Sequence, residues 1–246
     1  MSFRNVVVII AVGTVLLGSA AGAATSSGTC EVGDKPTCEK MNVLFVVGGA
    51  DFHDPVSLPP IVKKALEDTG KFTVTITEDR DQFKLENICN YDLVLIYTTG
   101  GELSKEQEKG LTEFVEGGKA LVGIHSATDS FKNSDVYWKM LGGQFIGHGG
   151  GTFTVKITGK HHCIVKGMDS FDITDETYCH KFHPESEIVV LMRREEDGEP
   201  ASWVQYYGRG RVFVTGLGHG KPAWDNPAFQ ETVVRGSLWA TGRLNP

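Results

Sequence analysis

The stretch "ALVGIHSATD" (120–129) runs from apolar residues through a glycine to His125, Ser126 and a set of small residues. A buried parallel strand ends this way when it turns sharply and presents one side chain above its sheet. In many α/β enzymes the presented residue is a Ser or Cys nucleophile. Here a histidine stands in that place with a serine behind it. The stretch therefore sets both the architecture to test along the chain and the chemistry to look for.

Working outward from it, "MNVLFVVGG" (41–49) is another apolar run closed by glycines, the pattern of a strand buried on both faces. "PPIVKKALEDTG" (59–70) places Ile61, Ala65 and Leu66 at helical spacing before Gly70. "KFTVTITED" (71–79) and "YDLVLIYTTG" (91–100) are further strands. In "SKEQEKGLTEFVEGG" (104–118), Ser104 and Gln107 have the spacing of a capping box. Strand–helix alternation with short Gly-rich connections predicts a parallel sheet flanked by helices. After residue 150 the pattern changes to strands over 151–158, 171–178, 187–196, 201–207 and 210–219, with a hairpin turn at Gly208–Arg209 and a closing helix over 228–242. The fold class expected is α/β, a parallel sheet flanked by helices with an antiparallel extension in the C-terminal half.

The first residues differ in kind. "MSFRNVVVIIAVGTVLLGSAAGAATSSG" carries Arg4, an apolar stretch from about Val6 to Gly18, and Ala21-Gly22-Ala23. A positive start, a short apolar core and an A-x-A end describe a secretory signal peptide. The expected organisation is a signal peptide over 1–23, a linker over 24–40 and one domain over 41–243. The chain would be secreted or periplasmic and away from the membrane once cleaved. In an oxidising compartment Cys30 and Cys38 could close a small loop. The net charge of −7 and the lack of any Lys/Arg run argue against nucleic acid as a partner.

In open α/β sheets, ligands bind outside the carboxyl ends of the strands. The polar residues in those places are Asp51, His53 and Asp54 after the first strand, Thr98, Thr99 and Glu102 after the third, and His125 and Ser126 after the fourth. His148 follows in a Gly-rich loop, "DITDETY" brings Asp175, Glu176 and Tyr178, and His219 and Trp224 follow the last strand. His161, His162, His180 and His183 sit in polar segments and are expected to be solvated. Neutral imidazoles with a carboxylate bind borderline transition metals, zinc or similar, and the same groups can carry general acid/base work. His125, His148, Glu176 and His219 are the catalytic or metal-binding candidates. His53, Asp54, Ser126, Tyr178 and Trp224 are candidate substrate contacts, and Phe52, Trp203, Tyr206 and Tyr207 are further aromatics suited to sugar rings.

The motifs "VLFVVGGADFHD", "LVGIHSATDSF", "YWKMLGGQFIGH", "DITDETY", "SWVQYYGRGRVFVTGLGH" and "GSLWATG" together resemble the ThuA-like family, named for trehalose utilization, from about Met41 to Gly242. The resemblance implies a flavodoxin-like fold similar to class I glutamine amidotransferases. It also implies a role in carbohydrate metabolism, with a disaccharide, a glycoside or its 3-keto derivative as the small-molecule partner. Amidotransferases present Cys in a G-x-C-x-G turn. Here Gly123-Ile124-His125-Ser126-Ala127 puts His125 in that place, and imidazole cannot form the thioester, so glutamine amidotransfer is not expected. Three readings follow: an exported carbohydrate-active enzyme working by hydrolysis, elimination or isomerisation; a non-catalytic sugar-binding module; and a Ser-dependent hydrolase using Ser126.

Overall fold

Along 43–47, Val43, Phe45 and Val47 enter one apolar layer while Leu44 and Val46 enter the other. A strand covered by helices on both faces needs that unbroken apolar run. In the computed structural model, which describes residues 39–50 and 52–244, this strand is β1 (Met41–Gly48). The others are β2 (Phe72–Thr77), β3 (Leu93–Thr98), β4 (Ala120–Ile124), β5 (Gly143–Ile157), β6 (Phe171–Phe182), β7 (Val189–Arg194), β8 (Pro200–Tyr207) and β9 (Gly210–Thr215). They form a sheet of order β2-β1-β3-β4-β9-β8-β7-β5-β6. The first five in that order are mutually parallel, and every later pairing is antiparallel.

The helices are α1 (Pro59–Asp68), α2 (Leu85–Ile88), α3 (Lys105–Glu116), α4 (Asp135–Leu141), α5 (Lys221–Trp224) and α6 (Pro227–Ala240). α1 and α6 cover one face through Val62, Leu66, Phe229 and Val233. α3 and α4 cover the other through Leu111, Phe114, Tyr137 and Met140. The capping box at Ser104 is formed: its Oγ accepts the Gln107 N–H, and the Gln107 side chain accepts the Ser104 N–H at 2.9 Å. From β1 the chain moves outward to β2 and then returns across β1 to β3. The loops after β1 and β3 therefore diverge, opening a crevice at the carboxyl edge.

The main departure from the sequence pattern is β5. It begins at Gly143, so the Gly-rich stretch holding His148 is strand rather than loop. Its glycines supply no side-chain alternation to reveal a strand; pairing with β6 creates one. β5 pairs with β7 only over Val155–Ile157, but with β6 from Gly143 to Val155. The β5–β6 ribbon thus leaves the plane of the sheet and folds back over its carboxyl edge, where Tyr178 stacks on His125 at 3.8 Å between ring centroids. β6 also continues to Phe182, so His180 is a strand residue. His180 and His183 are both buried, not solvated.

Among the cysteines, Cys89 is disulfide-bonded and Cys163 and Cys179 are free. The expected signal peptide, its cleavage site, the linker and a Cys30–Cys38 loop lie outside the described residues. No helix among the described residues is long and apolar enough to cross a membrane.

Candidate functional site

The turn after β4 takes the shape of an elbow. His125 opens a 3₁₀ turn with φ +46°, a left-handed conformation that costs a non-glycine residue about 1–3 kcal/mol. The strain aims a fully buried imidazole at the crevice. Its Nδ1 lies 2.8 Å from the Gly216 carbonyl oxygen, which can only accept, so Nδ1 carries the proton in the neutral ring and Nε2 keeps its lone pair. Nε2 is buried and has no hydrogen-bond partner among the described residues.

Three further side chains meet it. His53, from the loop after β1, lies 5.0 Å from His125 between ring centroids, and its Nδ1 is 2.7 Å from Thr99 Oγ1 of the loop after β3. That bond spans the two loops that diverge at the crevice. His219, from the loop after β9, directs Nδ1 inward, again buried and without a hydrogen-bond partner. Glu176 of β6 comes down from the ribbon, with Oε2 3.4 Å from His125 Nε2 and 3.3 Å from His219 Nδ1. One potential ligand atom from each of His53, His125, Glu176 and His219 lies within 4.8 Å of the others.

The electrostatics keep the donors available. Burial, aided by the neighbouring His125 and His219, draws the His53 pKa from 6.5 to about 3, so its ring is neutral at physiological pH. Burial also lowers His219. Burial pulls Glu176 the other way, but contact with His125 and the fields of His219 and His148 prevail and hold its carboxyl below the ordinary value. Neutral imidazoles and an ionised carboxylate are the protonation states metal ligands require. Asp175, its neighbour on the opposite face of β6, fixes the His219 loop: its two oxygens accept the N–H groups of Gly218 at 2.7 Å and His219 at 2.9 Å.

The remaining candidates fall elsewhere. His148 sits at the mouth, 45% exposed, with Nδ1 3.4 Å from Glu176 Oε1, outside the four-residue cluster. Asp54 is exposed and accepts the Val56 and Ser57 N–H groups, which closes a local turn. Trp224 is buried behind the site, against Tyr97, donating to the Gly218 carbonyl at 2.7 Å. Ser126 is fully buried, and its Oγ has no partner among the described residues, so no Ser–His pair is formed. Tyr178 roofs the pocket, with its hydroxyl 3.5 Å from His53 Nε2.

Of the other aromatics, Trp203 is core, and Phe52 is exposed beside His53 at 4.8 Å between ring centroids. The sequence reading missed the pair His180–Glu199, whose Nδ1 and Oε1 lie 3.4 Å apart, with His180 Nε2 3.3 Å from Thr128 Oγ1 at the base of the elbow. Its signal was the continued alternation Glu176, Tyr178, His180 along one strand face.

No curated protein sequence matches the chain. Among solved structures, a ThuA-like protein from Parabacteroides merdae ATCC 43184 is similar with a TM-score of 0.76 at 21% identity, over 85% of this chain and 92% of that one. A ThuA-like protein from Bacteroides uniformis ATCC 8492 gives 0.69 at 18%, over 85% and 94%. The cold-adapted β-galactosidase from Rahnella sp. R3 gives 0.57 at 15%, over 82% of this chain but only 31% of that one. These likenesses share the fold. The family model for ThuA, described as trehalose utilisation, matches residues 42–240, the span that holds both the sheet and the histidine cluster, and the chain belongs to that family.

Proposed function

We propose that this chain is a divalent-metal-dependent enzyme of carbohydrate metabolism, acting on a disaccharide, a glycoside or its 3-keto derivative. The observation that carries the reading is the convergence of His53, His125, Glu176 and His219, two of them with buried, unpartnered nitrogens. Buried polar atoms left without a partner cost about 1–3 kcal/mol each, and a cation accepting both lone pairs would remove that cost. Three imidazoles and one carboxylate suit zinc or a similar borderline ion. Membership of the trehalose-utilisation family supports the substrate class.

Held there, a divalent ion would polarise a sugar carbonyl or acidify a bound water. His148, at the mouth and outside the ligand set, is placed to take a proton from carbon beside a carbonyl. Return of that proton to the former carbonyl carbon, with the hydroxyl proton passing between the two oxygens, would give isomerisation; its delivery to the departing glycosidic oxygen, as the carbon–carbon double bond forms, would give elimination. The exported location is part of the same proposal; the disulfide at Cys89 supports an oxidising compartment.

Elemental analysis of the purified protein, paired with turnover of a 3-keto-glycoside before and after chelation, tests the reading. Bound divalent metal and chelator-sensitive turnover are expected. Full activity in metal-free protein would overturn the metal assignment, whereas saccharide binding with neither metal nor turnover would favour a binding module.

A further inference from the structure

The histidine cluster opens into a groove that the residues so far described do not fill. A cavity of about 380 Å³ is lined by His148, Gly150, Glu176, His219 and their neighbours. A second, of about 300 Å³, is lined by Thr152, Asp172, Asp225 and Asn226. Both include Thr174 and Pro222 in their walls, so they adjoin. Each falls at the small end of ligand sites, which run from about 300 to 1,000 Å³.

The ribbon explains their alignment. Residues opposite one another in an antiparallel pair share a face, and the register sets Tyr178 against His148, Glu176 against Gly150, Thr174 against Thr152 and Asp172 against Thr154. Successive rungs on one face are about 6.8 Å apart. The face therefore runs from the metal-ligand candidates, past a rung with no side chain on β5, to two rungs of hydroxyls and a carboxylate.

Gly150 is informative. A Cβ there would meet only the Asp175 carbonyl oxygen at 3.6 Å, an ordinary contact, and its φ is not left-handed. Neither packing nor backbone conformation demands glycine at this position. Its lack of a side chain keeps the passage beside Glu176 open.

We propose that the outer cavity is a second saccharide subsite, so that the ligand spans two sugar units, one at the histidine cluster and a neutral one held by Thr152, Thr174, Asp172 and Asp225. This rests on the carbohydrate reading of the cluster and deepens it. Thr152 Oγ1 and Thr174 Oγ1 lie 2.7 Å apart, and the bond between them uses only one of their two hydroxyl protons, leaving one to donate outward. Asp172 Oδ1 already accepts from Thr154 and Asp225 Oδ2 from Lys221, so the second oxygen of each carboxylate accepts from sugar hydroxyls, and Pro222 offers an apolar wall to a ring face. No Lys or Arg is among the residues lining either cavity, and at the outer end Lys221 is paired with Asp225 while Asp172 stands beside it.

Isothermal titration of the full, zinc-loaded protein with glucose and trehalose tests this. Trehalose should bind about tenfold more tightly than glucose, the gain of one to two hydrogen bonds. The Thr152→Val/Thr174→Val double variant, and separately Gly150→Val, should bring trehalose down to the glucose level with zinc content and unfolding midpoint unchanged. Equal affinity of the wild type for glucose and trehalose, or a preference that survives in both variants, overturns the subsite alone. A zinc-loaded protein that binds neither sugar overturns the subsite and the carbohydrate reading together.

Discussion

Replacing Asp175 by Asn tests how the site is assembled without touching any proposed ligand. The two carboxylate oxygens each serve one backbone N–H, Gly218 at 2.7 Å and His219 at 2.9 Å. Asn offers one oxygen. Its amide nitrogen, a donor, must then face the second N–H, which loses its acceptor in a buried setting. Stranding such a group costs about 1–3 kcal/mol. Some of that is returned, because burial pushes the Asp175 carboxyl above its ordinary value against the opposing effects of His125 and the two N–H groups, so removing the charge relieves desolvation. The net expectation is a loss of about 2 kcal/mol, which lowers the thermal midpoint of a domain this size by about 4–8 °C.

The same change frees the loop that aims His219, and outer-shell losses of this kind typically weaken a metal site about 10–100-fold. Thermal unfolding of the metal-free protein and a competitive zinc titration measure the two effects separately. An Asp175→Asn protein with a wild-type midpoint and wild-type zinc affinity would refute the claim that this carboxylate positions His219.

Three further outcomes are expected. His53→Ala should weaken zinc binding by at least about 100-fold, at or beyond the range for outer-shell partners, while His148→Ala should change it less than about fivefold and instead reduce turnover; zinc titration beside kinetics decides between the ligand sets. Trp224→Phe keeps the packing against Tyr97 but strands the Gly218 carbonyl, so it should lower stability by about 1–2 kcal/mol in urea unfolding. His53 has a folded pKa of about 3 against an ordinary 6.5, so the unfolded chain binds more protons between those values. Stability of the chelated protein is therefore full above about pH 6.5 and falls as pH drops toward 3, less steeply in His53→Gln; urea midpoints at pH 7, 6 and 5 measure it.

Much of the architecture was legible because burial imposes local rules. Parallel strands covered on both faces must be apolar throughout, which marks 41–49, 91–100 and 119–125, and the capping spacing at Ser104 and Gln107 fixes a helix start. The sharp turn at His125 was equally visible, since an apolar run ending in Gly-Ile-His-Ser has few other shapes. What escaped was structure made by partners far along the chain. The glycines around His148 have no alternation to read, and only pairing with β6 makes them a strand. His180 reads as polar loop until β6 carries it under the ribbon.

Residue pattern carried the fold class, the carboxyl-edge placement of His53, His125 and His219, and Glu176 as a candidate beside them. Periodicity and the topology of open α/β sheets suffice for that. Which imidazoles converge was set by long-range packing. The ribbon folds back over the sheet and delivers Glu176 into the crevice. The Thr99 bond holds His53 inward, and β5 leaves His148 at the mouth. Ligand sets depend on distances of a few ångströms between residues 43 to 166 positions apart, and no local pattern encodes those.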